Sequence, residues 1–123
     1  MMFFKSLIFV FLGGGFGSLL RYGLSAALSS YSQKFPFGTL VVNILSCILL
    51  GYLVGISLKN ALSPEMKLFL MVGLCGGFST FSTFSAESFQ LFNTGNALYG
   101  IAYMAASFFI CLLAIYAGIQ ISK

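Results

Sequence analysis

Four apolar stretches, each long enough to cross a bilayer and joined by short polar links, leave this chain few choices of fold. In hydrocarbon every backbone polar group needs a partner, and a helix supplies all of them from within itself. Since about 20 apolar residues cross the hydrocarbon core, a chain of 123 residues makes four such helices with short loops between them. The surface arithmetic agrees, because 59% hydrophobic and 7% charged residues cannot coat a water-facing domain of this size. The expected fold is an all-α membrane protein of one domain over 1–123, with helices at about 3–28, 37–58, 65–92 and 97–121. Such a chain is expected in the cell (plasma) membrane as a multi-pass protein, with lipid as its surroundings. Lys5 ahead of an apolar run has the look of a secretory signal, yet the run continues past Arg21 and three further spans need it for packing.

The net charge of +4 comes from Lys5, Arg21, Lys34, Lys59, Lys67 and Lys123 against Glu65 and Glu87. These are scattered single residues, so no basic patch for nucleic acid exists. Four spans put Lys5, Lys59, Lys67 and Lys123 on one face, against Lys34 and Arg21 on the other. The positive-inside rule favours cytoplasmic termini, but the margin is small enough that both insertions stay open. The chain has no histidine, which removes the usual proton shuttle and the commonest metal ligand. Cys47, Cys75 and Cys111 stand in separate apolar segments without metal-ligand spacing and are read as small packing residues.

Polar residues inside the spans carry the functional signal. In the second span Thr39, Asn43 and Ser46 recur at helical spacing and share one face. An unpaired amide in hydrocarbon costs several kcal/mol by rough estimate, so Asn43 must face protein or water. Gly13 and Gly17 in the first span suit close helix approach. The third span is unusual: Gly73, Gly76 and Gly77 precede a run of Ser, Thr and Phe, all poor support for a continuous helix. A break is expected near Gly76 to Thr80, where freed carbonyls could hold a cation. Tyr103, Ser107 and Cys111 draw a mildly polar stripe along the fourth span.

Taken together, Arg21, Thr39, Asn43, Ser79, Thr80, Ser82, Thr83, Glu87, Tyr103 and Ser107 are mostly neutral hydrogen-bond donors with a single carboxylate among them. A cation or proton path would be lined by carboxylates or histidines, so this inventory suits an anion. Phe78, Phe81 and Phe84 admit two readings, a packed apolar interface or rings presented edge-on to a small anion. Four helices of this length enclose no wide pore, which points to a path formed between subunits.

The strings GGGFGSLLRY (Gly13 to Tyr22), GTLVVN (Gly38 to Asn43) and GLCGGFSTFSTFSAE (Gly73 to Glu87) resemble the signature stretches of the Fluc/CrcB fluoride channel family, in order and over essentially the whole chain. The resemblance implies an antiparallel, dual-topology homodimer with two fluoride pathways and one central structural sodium ion. It implies passive export of fluoride that protects the cell from its accumulation. By position, Phe81 and Phe84 resemble the paired rings that touch the ion, Asn43 the pore-facing amide with Thr39 beside it, and Arg21 the vestibule arginine. Tyr103 and Ser107 resemble the polar track of the fourth helix, with Ser82, Thr83 and Glu87 as a further polar row. Backbone carbonyls of Gly76 and Ser79 resemble the sodium ligands. Ser79 with Thr80 stands where many relatives have two threonines, and Ser46 with Cys47 where glycine or alanine is expected.

Three other classes fit less well. A small proton-coupled multidrug exporter needs a carboxylate in its first span, and this chain has none there. A membrane subunit that only stabilises a larger complex needs no broken, hydroxyl-rich third span. An enzyme is least supported, since no nucleophile with a base, no metal cluster and no phosphate loop is visible.

Overall fold

The computed structural model describes residues 2–123. It is all-helical among them: α1 (Met2–Ala27), a short 3₁₀ turn (Ser29–Tyr31), α2 (Phe37–Leu58), α3 (64–78), α4 (Ser82–Asn93) and α5 (Ala97–Ile121). Four helical spans are long and apolar enough to cross a membrane, α3 and α4 together forming the third, Pro64–Asn93. The chain is thus a multi-pass membrane protein. Its outer surface is apolar, with Phe3, Phe4, Phe11, Leu19, Phe108 and Leu113 among many exposed large side chains. That distribution inverts a soluble protein and is what lipid as solvent demands.

The ends follow from local chemistry. Pro64 occupies the first turn of α3, where its missing N–H costs nothing, and the Ser63 side chain accepts from the Met66 N–H at 3.2 Å. Asn60 (φ 57°) turns the chain between α2 and α3, and Gly95 (φ 80°) does so between α4 and α5. Lys59 Nζ donates to the Ser122 carbonyl at 2.5 Å and Lys5 pairs with Glu65 at 3.8 Å, both at the end that carries the termini.

Packing rests on backbones brought together by glycine. Gly13 and Gly17 of α1 lie against the Phe69 and Leu74 carbonyls of α3, and Gly77 against the Gly14 carbonyl. Gly51 of α2 lies against the Ile115 carbonyl of α5, and Gly118 of α5 against the Ile48 carbonyl of α2. Two parallel helix pairs result, α1 with α3 and α2 with α5. With no hydrophobic effect between helices in lipid, such close contact is what holds them.

The third span is interrupted at the depth the glycines foretell. Leu68–Cys75 is wound as a π-helix, Gly76–Phe78 adds an α-turn, and Ser79 then swings to an extended conformation (ψ 160°) before α4 starts. The π stretch has no signature in the sequence. It lies directly before the break, and such windings recur at functional sites.

A side chain added at the crowded glycines should separate the pairs. Gly118→Val is expected to lower stability by about 1–3 kcal/mol, seen as a drop in thermal midpoint in detergent. Gly23→Ala, where a methyl group would meet open space, should leave the midpoint unchanged.

Candidate functional site

At the break in the third span the carboxamide of Asn43 replaces the missing helical partners. Its Oδ1 accepts from the Thr80 N–H at 2.8 Å, and its Nδ2 donates to the Thr80 carbonyl at 3.1 Å. One side chain thereby satisfies both backbone groups of the residue at the centre of the interruption. Thr80 in turn caps α4, its Oγ1 accepting from the Thr83 N–H at 3.2 Å. One turn along α2, Ser46 Oγ donates to the Cys75 carbonyl at 3.1 Å, the same oxygen that takes the Ser79 N–H and hydroxyl. One turn back, Thr39 Oγ1 donates to Glu87 at 2.8 Å. The three polar residues of the second span therefore all reach the third.

The α2 and α5 helices run side by side in a fixed register. Gly51 meets Ile115, and each turn back along both helices brings the next pair abreast: Cys47 with Cys111, Asn43 with Ser107, Thr39 with Tyr103. Glu87 of α4 caps this ladder, since Tyr103 donates to its other oxygen at 2.7 Å. Tyr103 is fully buried, with its ring 5.2 Å from that of Phe84 and edge-on to Phe35 at 5.5 Å.

Two cavities lie along the ladder, one at the rung of Thr39 and Glu87 and one at the rungs of Asn43 with Ser107 and Cys47 with Cys111. The outer one, about 780 Å³, is lined by hydroxyls and amides that include Ser25, Ser32, Gln90 and Asn96, with Lys34, Thr39 and Glu87. The inner groove, about 360 Å³, is lined by Asn43, Ser79, Thr80, Phe81, Phe84 and Ser107 and continues past Cys47 and Cys111. Ser107 Oγ is buried and has no hydrogen-bond partner among the described residues. Asn43 has two N–H groups and gives one to Thr80, so the other remains for the groove. The Phe81 ring is 78% exposed and its centroid lies 5.7 Å from that of Phe84. It is not packed in a core, which removes the interior-packing reading of that ring within a single chain.

Of the sequence candidates, Thr39, Asn43, Ser79, Thr80, Phe81, Phe84, Glu87 and Ser107 border one cavity or the other, while Tyr103 borders neither and is joined to Glu87 by its hydroxyl and to Phe84 by its ring. Arg21, Ser82 and Thr83 border neither. Arg21 Nε instead donates to the Gly77 carbonyl at 3.0 Å, tying α1 to the last turn of α3. The carbonyls of Gly76 and Ser79 accept no hydrogen bond among the described residues, because the Thr80 N–H that would close on Gly76 is taken by Asn43. Gly76 also faces open space. Free carbonyl oxygens of this kind suit a hard cation such as sodium.

Two features escaped the sequence reading. Cys47 and Cys111, expected as packing residues, line the groove, while Cys75 is buried as expected. Cys47 stands one turn beyond Asn43, so the periodicity that identified the amide carries on to the thiol. The outer cavity draws on the linker and four helix ends, which no local pattern joins.

Removing the Asn43 clamp should cost more than removing its neighbour. Asn43→Ala leaves the two part-buried backbone groups of Thr80 without their partner, at up to about 1–3 kcal/mol each, whereas after Ser46→Ala the Cys75 carbonyl keeps its two donors from Ser79. Thermal midpoints in detergent should therefore fall far more for Asn43→Ala, and equal falls would deny the clamp its role.

Comparison with known proteins gives a consistent picture. The profile of the family described as CrcB-like protein, Camphor Resistance (CrcB), matches residues 8–119. A protein of Flavobacterium psychrophilum named fluoride-specific ion channel FluC is 42% identical over 97% of this chain and 98% of its own length. Proteins with the same name from Phocaeicola vulgatus (44% identical, covering 97% and 99%) and Pyrococcus horikoshii (38%, covering 97% and 97%) are similar over the same extent.

Proposed function

The chain belongs to the CrcB family, and from that premise we propose that it is a fluoride-selective channel, letting fluoride leave the cell passively and so lowering its internal concentration and toxicity. It is a multi-pass protein of the plasma membrane and not an enzyme. The observation that carries the proposal is the donor set of the inner groove: the spare N–H of Asn43 and the unpartnered hydroxyl of Ser107, beside the rings of Phe81 and Phe84.

Fluoride is small and strongly hydrated, so its dehydration must be offset by donors at close range. An amide, a hydroxyl and the positive edges of phenyl rings supply them without fixing a full charge that would trap the ion. Chloride is larger and would fill such a path poorly. At the ladder's upper rung Thr39 and Tyr103 both donate to Glu87. Fluoride passing there would compete with the carboxylate for those hydroxyl protons.

The functional unit proposed is an antiparallel homodimer of dual topology with two pathways and a central sodium ion. The exposed Phe81 ring and open Gly76 support a second copy on that face. Arg21, Ser82 and Thr83, which border neither cavity of one chain, would join the pathway in that assembly. The sodium would be held by the carbonyls of Gly76 and Ser79 from both copies, and the hydrogen-bond-free state of those oxygens fits it. Its chemistry there is positive charge at the junction of two broken helices.

Purified protein in liposomes loaded with fluoride should release it once a potassium ionophore removes the opposing potential, and chloride should stay inside. Phe81→Ile and Phe84→Ile nearly keep side-chain volume and delete the ring edge. Each should reduce fluoride release by about two- to tenfold if the edge contributes on the scale of an aromatic contact. Equal release of both halides would refute selectivity, and full release by both variants would return the rings to packing.

A further inference from the structure

The rung below Asn43 and Ser107 is a pair of thiols. Cys47 of α2 and Cys111 of α5 stand abreast in the register set by Gly51 and Ile115, are neighbours across the helix pair, and both line the inner groove. They are half-buried, whereas Cys75 is enclosed. Among the described residues no group of three or more His, Cys, Asp or Glu is assembled, so a tetrahedral site for zinc is lacking.

Two facing thiols with no third ligand suit a different chemistry. Soft d¹⁰ cations accept linear coordination by two sulfur atoms and need nothing more. We propose that Cys47 and Cys111 form a two-thiol binding site for a soft metal cation in the wall of the groove. With mercury(II), both S–H bonds break, two S–Hg bonds form and two protons pass to water, leaving a neutral bis-thiolate. No electron is transferred. Neutrality matters at this depth, because the surrounding Phe108, Leu112 and Ile115 side chains would penalise a charged complex. The bound ion would sit one helical turn from Asn43, within the groove assigned to fluoride, and obstruct it. The obstruction rests on the channel reading, while the metal site does not.

The test counts thiols. Protein purified in detergent receives one equivalent of mercury(II), and the thiols still open to a small maleimide are measured. One ion should protect two thiols in the wild type and in Cys75→Ser, and only one in Cys47→Ser or Cys111→Ser, with gel-filtration profiles confirming that each variant is folded. A single protected thiol in Cys75→Ser, or protection undiminished in Cys47→Ser and Cys111→Ser, would overturn the proposal. In liposomes, mercury(II) should stop fluoride release by the wild type and spare the Cys47→Ser/Cys111→Ser double variant. Failure of the wild type to release fluoride at all would count against the channel, and the thiol count would still decide the site.

Discussion

One side chain makes the architecture tenable: the Asn43 carboxamide that closes on both backbone groups of Thr80. A helix interrupted inside a membrane exposes polar backbone to a medium that offers nothing in return, and each unpaired group is costly. The amide presents an acceptor and a donor at the spacing of a neighbouring backbone, so the interruption becomes a built feature. Because its second N–H stays free, the same residue that secures the break also faces the groove beside it.

The close parallel approach of α2 and α5 turns isolated polar residues into a continuous track. Glycines 51 and 118 allow the backbones to touch, and that contact sets which side chains stand abreast for four turns. The rungs change in character from hydroxyls around Glu87, through amide and hydroxyl, to thiols. All are neutral donors or weak ones except the carboxylate, and that carboxylate is held by two hydroxyls. A lining of this kind can replace the water around a small anion without binding it permanently.

The broken third span serves both sides of the molecule. Toward α2 it is satisfied by Asn43 and Ser46, and toward α1 by Arg21 on the Gly77 carbonyl. The Gly76 and Ser79 carbonyls are left without donors among the described residues. Exposure of Phe81 on the same span continues that unfinished character. A single chain of this design leaves unpaired carbonyl oxygens where lipid alone would be a poor neighbour.

Spans and their approximate limits were legible in the amino-acid order because hydropathy over 20 residues is a local property and lipid imposes one solution on it. The shared face of Thr39, Asn43 and Ser46 was equally legible, since helical spacing alone defines it. The break was expected from the glycines near Gly76, and the polar character suited to an anion from the inventory of donors. Tertiary structure alone decided that Asn43 spends its amide on Thr80, that Arg21 reaches Gly77, and that Glu87 gathers Thr39 and Tyr103. It also moved Cys47 and Cys111 from packing to the groove. Those pairings depend on the register between helices far apart in the chain, and register is fixed by where two backbones can touch, which no single stretch of sequence contains.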